Sequence, residues 1–175
     1  MAANLESVVE QLKSLEKTQR RILKVVLVTK TCASAGAEGA EDVVSEHITA
    51  GTDWDFDFGG TGYITRAVIT SVTAMTPRMA LYLFTNPPTC NLLDNVANTA
   101  PIAADIQHFV GSIEFPAMID YGTGASYAVA TPSTTGNLPL MFNAPKLYGV
   151  LVTKDAVTFG ATLISIILGA EIEGS

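Results

Sequence analysis

Charge is scarce in this chain, and positive charge outside its N-terminus is scarcer still. Charged residues fill 15% of 175 positions and hydrophobic residues 48%, where roughly a quarter of an ordinary globular chain is charged. Apolar surface left uncovered is an association hazard, so partner chains are expected to cover part of it. Residues 1–30 hold the bases Lys13, Lys17, Arg20, Arg21, Lys24 and Lys30 against the acids Glu6, Glu10 and Glu16. Beyond them come only Arg66, Arg78, Lys146 and Lys154, against fourteen acids. Affinity for a phosphate backbone rests on cation contacts, so a body this acidic excludes nucleic acid as a partner. Aromatics, at 7% of the chain, are also too few for a single-strand stacking platform.

Cysteine is limited to Cys32 and Cys90, with no CxxC pair. Neither a disulfide framework nor a zinc site is indicated, and synthesis in a reducing cytoplasm suits the chain. Long apolar runs are missing too. The stretch Leu163 to Leu168, with Ser165 inside it, is far too short to span a bilayer. The N-terminus alternates charged and apolar residues too regularly for a signal peptide, so no membrane partner is expected.

Catalytic signatures are absent as well. His47 and His108 lie far apart, and the fourth residue after each is Gly51 and Ser112, so no HxxxH pair exists. No GxSxG elbow is present. Gly59-Gly60-Thr61-Gly62 and Gly122-Thr123-Gly124 lack the Lys-Ser/Thr of a P-loop and read as turns. The run Asp53-Trp54-Asp55-Phe56-Asp57-Phe58 suggests a calcium ligand set, but Phe58 and Ile64 stand where an EF-hand loop needs glycine and glutamate. Alternation instead predicts a half-buried strand with a solvated acidic face that discourages edge pairing. Trp54, Tyr63, Tyr82 and Tyr121 could build a carbohydrate pocket, although core packing accounts for most of them. No catalytic residue, cofactor or metal is expected, and an enzyme is the least favoured class.

What the sequence does contain is a heptad pattern followed by many short strands. Residues 4–24 read as a helix, with Asn4 as N-cap and no Gly or Pro inside. Leu5, Leu12, Gln19 and Val26 fall at a; Val8, Leu15 and Ile22 fall at d. These seven residues form the expected oligomer interface of a coiled-coil-like segment, residues 1–24. Val9 and Leu23 at e widen the stripe, and with the polar Gln19 they favour three strands or docking on another surface. The alternative is an ordinary amphipathic helix packed on its own domain. Residues 25–42 read as a strand, Val25–Thr29, and a flexible linker rich in Ala, Gly and Ser.

Residues 43–175 then form one β domain. Strands are predicted at Val43–Thr49, Trp54–Phe58, Tyr63–Thr73, Met79–Phe84, Phe109–Phe115, Ala125–Ala130, Leu138–Phe142, Leu147–Thr153 and Leu163–Ala170. Gly/Pro turns separate them, and Leu92–Gln107 reads as a long crossing loop with a turn of helix. The predicted class is mainly β, a jelly-roll-like β-sandwich behind an N-terminal heptad helix.

The order of elements in the C-terminal half carries a resemblance. Leu81-Tyr82-Leu83-Phe84 precedes a Pro turn, Asp94-Asn95 opens the crossing loop, and Ala104-Asp105 leads to Val110-Gly111-Ser112-Ile113-Glu114-Phe115. Leu138-Pro139-Leu140-Met141-Phe142, Leu147-Tyr148-Gly149-Val150-Leu151-Val152-Thr153 and a last strand ending at Glu171 follow. From Gly59 to Glu171 this resembles the small β-sandwich proteins that decorate or cement the capsids of tailed bacteriophages. The resemblance implies homotrimers on the outside of the head, with the major capsid protein as partner, made in the host cytoplasm. It implies no active-site residues. The N-terminal helix departs from the plainest members, which begin with an extended arm or strand. The runner-up expectation is a receptor- or glycan-binding module of a head fibre or tail.

Overall fold

Alternation between apolar and polar residues decides which segments become strands, and it begins earlier than the heptads suggest. The computed structural model describes residues 4–18, 21–33, 36–122, 124–132 and 137–173, without the side chains of 15–18 and 159. Helix α1 runs Leu5–Thr18. The Asn4 side-chain oxygen accepts the Glu6 amide at 3.3 Å, and Glu6 sits in the positive first turn. The expected helix to residue 24 is therefore too long. Strand β1 starts at Arg21 and ends at Cys32. Each of its twelve residues pairs with one of β12, Thr162–Glu173, and this ladder outweighs the heptad spacing of Ile22 and Val26. The strand thus begins inside the segment assigned to the helix.

The remaining strands are β2 (Gly36–Glu38), β3 (Trp54–Asp57), β4 (Gly62–Ser71), β5 (Met79–Phe84), β6 (Phe109–Phe115), β7 (Ile119–Asp120), β8 (Ser126–Ala130), β9 (Leu140–Phe142), β10 (Lys146–Thr153) and β11 (Val157–Phe159). All pairings are antiparallel. Sheet one has the order β1-β12-β4-β8-β7, with β9 also on β4; sheet two has the order β3-β10-β5-β6. The protein is mainly β with one N-terminal helix. Val43–Thr49 does not form the expected strand; Val43 makes only an isolated bridge to Val152. The expected linker contains β2, which pairs with β11 as a separate ribbon.

Both sheets contribute to one apolar core. Sheet one supplies Ile64, Ala67, Ile69, Ile164, Ile166 and Leu168; sheet two supplies Trp54, Phe56, Leu81, Leu83, Ile113 and Leu151. The DWDFDF run behaves as its alternation predicts. Its three aromatics are buried while Asp55 and Asp57 stay exposed along an edge strand. Gly149 pairs with Trp54, and a Cβ there would lie 2.8 Å from Leu81 Cδ1 and 3.2 Å from Trp54 Cβ. A side chain at 149 would press on the Leu81 methyl, the Trp54 Cβ and the Phe56 ring, and glycine avoids all three.

The two outer faces are treated differently. On sheet two, Val150, Val152, Phe84 and Tyr82 are covered by Val43, Cys90, Leu92, Ala100 and Ile102. The crossing loop thus lays a second small core over that sheet. On β1 of sheet one, no such cover lies over the outward residues among the described residues, and Leu23, Val25 and Leu27 are exposed.

Candidate interaction surface

Helix α1 presents its apolar stripe to solvent. Residues 4–14 are all exposed, Leu5 at 79%, and Val8, Val9 and Leu12 are among the exposed large hydrophobics. The expectation of a helix packed on its own domain is not met over this stretch. Of the seven expected interface residues, Leu5, Val8 and Leu12 share α1 with Leu15, whose side chain lies outside the described residues, as does the whole of Gln19. Ile22 and Val26 sit on β1 instead, so they are not helix positions. Ile22 is exposed, whereas Val26 is half-buried against the core. The structure therefore shortens the helical stripe to two heptads. An isolated helix of that length is marginal in water without a partner.

A second apolar surface begins where the helix ends. On β1 the odd-numbered residues point outward, and Leu23, Val25 and Leu27 are 70%, 61% and 60% exposed. The exposed row does not extend across the sheet: Leu27 pairs with the half-buried Ile167, and Ile167 with Val68, which is buried. Leu163 and Val72 add exposed apolar area at one end, Ile119 and Tyr121 at the far edge. Charge gathers instead at the Arg21 end, where Arg21 bonds Glu171 at 2.7 Å. Sequence reasoning placed Leu23 at a heptad e position and so missed this face. The signal was the period-two run Leu23-Lys24-Val25 leading into Val26-Leu27-Val28.

One inward charge of β1, Lys30, is tied down within the molecule. Lys30 Nζ lies 2.8 Å from Glu46, bonds the Thr52 carbonyl at 2.8 Å, and stands 5.6 Å from the Trp54 ring centroid. Hydrogen bonding to Lys30 and Thr52 holds the Glu46 carboxyl below the usual range despite its partial burial.

The other residues singled out do not converge on a site. His47 Nδ1 takes the Thr49 amide at 3.0 Å, a turn contact, while His108 lies by Thr85 and Asn86. Cys32 and Cys90 are free and buried, and burial pushes their thiols up to about 12 and about 11. They are poor nucleophiles on that account. Trp54 is buried, so the four-aromatic carbohydrate pocket does not form; Tyr121 stacks on Tyr127 at 5.0 Å with planes 2° apart. Among the described residues no group of three His, Cys, Asp or Glu is arranged to hold a metal.

One buried acid escaped the sequence reading altogether. Glu38 on β2 is 2% exposed, and neither carboxyl oxygen has a hydrogen-bond partner among the described residues. No helix among the described residues is long and apolar enough to cross a membrane. The chain matches no protein-family model, and no curated protein matches it.

Proposed function

We propose that this chain is a virion structural protein of a tailed bacteriophage, binding the capsid exterior as a homo-oligomer and bracing the head. The observation that carries the reading is the apolar residues left exposed on α1 and, separately, on β1, in a chain with few charges to solvate them. The resemblance of Gly59–Glu171 to capsid decoration proteins, with their jelly-roll-like sandwich, supports the same reading. The mechanism is burial. Each apolar residue removed from water contributes about 1.5–3 kcal/mol before ordering costs, and a protein bound only to the assembled shell stabilises it by mass action. The major capsid protein is the partner, and the acidic body leaves DNA inside the shell untouched.

Antibody raised against the chain should label the outer head of virions purified from the source lysate, with matching density in cryo-electron microscopy. Absence of the chain from purified virions overturns the reading. Removing residues 1–20 leaves β1 whole, so the truncated chain keeps its β circular dichroism. It should lose at least tenfold in head binding by co-sedimentation; unchanged binding removes α1 from the account.

A receptor- or glycan-binding module of a head fibre or tail is the second reading, favoured by the exposed Tyr121 stacked on Tyr127. Glycan-array signal that vanishes in Tyr121→Ala supports it, and background signal removes it.

A further inference from the structure

Among the described residues, β2 and β11 pair only with each other, so no ladder joins their ribbon to either sheet. Gly36, Ala37 and Thr158 are exposed, Val157 is half-buried, and only Glu38 is fully turned inward, at 2% exposed. The described side chains that seat the ribbon on the body are therefore one valine and one acid. A buried acid is ordinarily held by hydrogen bonds or a counter-charge. Among the described residues Glu38 has neither a hydrogen bond nor a paired base.

The charges that act on Glu38 are negative: Asp94 on the crossing loop and Asp42 in the turn after β2. Asp42 accepts the Gly39 amide at 2.6 Å. Asp94 accepts the Ser45 amide at 2.7 Å through one oxygen, and its other oxygen is buried without a partner among the described residues. The bases on adjoining segments are engaged elsewhere, Lys30 by Glu46 and Lys154 by Glu41. Across the ribbon Glu38 pairs with Val157, which brings no charge. Cys32, fully buried at the end of β1 and three residues short of β2, completes the group, and its thiol feels the charges of both Asp94 and Glu38.

We propose that the β2–β11 ribbon is a pH-operated latch, which Glu38 keeps shut while protonated and which swings out when Glu38 ionises, uncovering Cys32. A protonated carboxyl is neutral and can rest beside two other acids. A carboxylate in that place is stripped of water and repelled, and only solvent relieves it. Reaching solvent takes little movement, because two three-residue strands lift without breaking a ladder to the body. The far end of β2 stays fastened: the Thr153 hydroxyl donates to the Gly39 carbonyl at 2.7 Å, and the Glu41 amide to the Thr153 carbonyl at 2.8 Å. The hinge therefore lies at Gly39, and the free end is the one next to Cys32.

The direction of the switch follows from linkage. Burial and the two carboxylates raise the Glu38 carboxyl from 4.5 to about 7 in the closed state, whereas the open ribbon leaves it in water. The closed state is at full strength below about 4.5 and weakens as the pH rises through about 7. The open fraction should then grow about tenfold between pH 6 and pH 8. Local openings of this kind are sparsely populated and leave the rest of the fold intact. The inference concerns the chain alone and stands without the capsid reading.

Alkylation of Cys32 by iodoacetamide tests the latch in the full chain, read peptide by peptide in a mass spectrometer so that Cys90 is left unchanged. Wild type and Glu38→Gln are compared at each pH, because the thiol's own ionisation then cancels in the ratio of their rates. That ratio should rise about tenfold from pH 6 to pH 8. Lifting the ribbon exposes little surface, so the wild-type rate at pH 8 should barely respond to 1 M urea. A ratio that stays flat with pH overturns the proposal. So does a rate that climbs with urea as steeply as global unfolding does, since Cys32 is then reached only through the unfolded chain.

Discussion

Replacing Glu38 with glutamine should stabilise the protein by about 3 kcal/mol at pH 8 and change little below pH 4.5. Glu38 lies in the short ribbon of β2 and β11, with both carboxyl oxygens buried and unpartnered among the described residues. Burial, followed by the neighbouring carboxylates of Asp94 and Asp42, pushes its carboxyl from the ordinary 4.5 up to about 7. A carboxyl raised in this way keeps its full native contribution while it is protonated in both states, below about 4.5. That contribution is lost as the pH rises through about 7, because the unfolded chain ionises first. The gap corresponds to about 3 kcal/mol. Glutamine is neutral throughout and nearly isosteric, so it removes the ionisation cost.

The variant should retain some pH dependence of the same sign, since burial also raises the carboxyl of Asp94. Its melting temperature at pH 8 should exceed that of the wild type by roughly 6–12 °C, and the two curves should meet near pH 4.5. Thermal unfolding of both proteins at pH 4.5, 6, 7 and 8 decides the matter. Parallel curves over that range would mean that water or a local opening already solvates Glu38. Hydrogen exchange then gives the location: wild-type amides of Gly36–Glu38 and Val157–Phe159 should lose protection above pH 7 before those of β12 do.

Which parts of this architecture could be read from sequence follows from where the local signal was unambiguous. Strands β3, β4, β5, β6, β10 and β12 have long apolar or alternating runs bounded by Gly and Pro, and the structure places them within a few residues of expectation. The helix was legible only as far as Thr18. Beyond it Ile22 and Val26 satisfy both a heptad spacing and a period of two, and a twelve-residue ladder with β12 decides between them. Strands β2, β7 and β11 are two or three residues long and exist through their partners. The buried state of Glu38 depends on that same non-local ribbon. The apolar face of β1 was half legible: Val25 and Leu27 fall in the expected strand Val25–Thr29, while Leu23 reads as a heptad position of the helix. Nothing in the local sequence reveals that the crossing loop covers sheet two and leaves β1 bare, because cover is a property of the assembled layers.

Asp105→Ala should cost about 3 kcal/mol and loosen that cover before it touches the rest of the fold. Asp105 is buried, and its carboxylate accepts the Thr89 amide at 3.0 Å, the Thr89 hydroxyl at 2.8 Å and the Cys90 amide at 3.1 Å. Removing it strands two amides in a partly dry setting. An orphaned buried donor costs about 1–3 kcal/mol, and bonds to a charged acceptor stand at the upper end. The damage begins locally, because these bonds fasten Thr89 and Cys90 to the other end of the crossing loop. Cys90, Leu92, Ala100 and Ile102 would then lift from Phe84, Val150 and Val152. Exchange protection should fall first in β5 and β10, while the β1–β12–β4 ladder holds. Asp105→Asn keeps one acceptor oxygen and should lose about half as much.

The same variant bears on the assignment of the interaction surface. If the exposed residues of α1 and β1 carry the homo-oligomer, opening the loop on sheet two leaves the mass of the isolated protein unchanged until global unfolding. It also gives apolar dyes a new surface, so dye fluorescence should rise at constant mass. A variant that falls apart into monomers while β1 stays protected would place the contact on sheet two. The apolar edge of sheet one would then need another explanation.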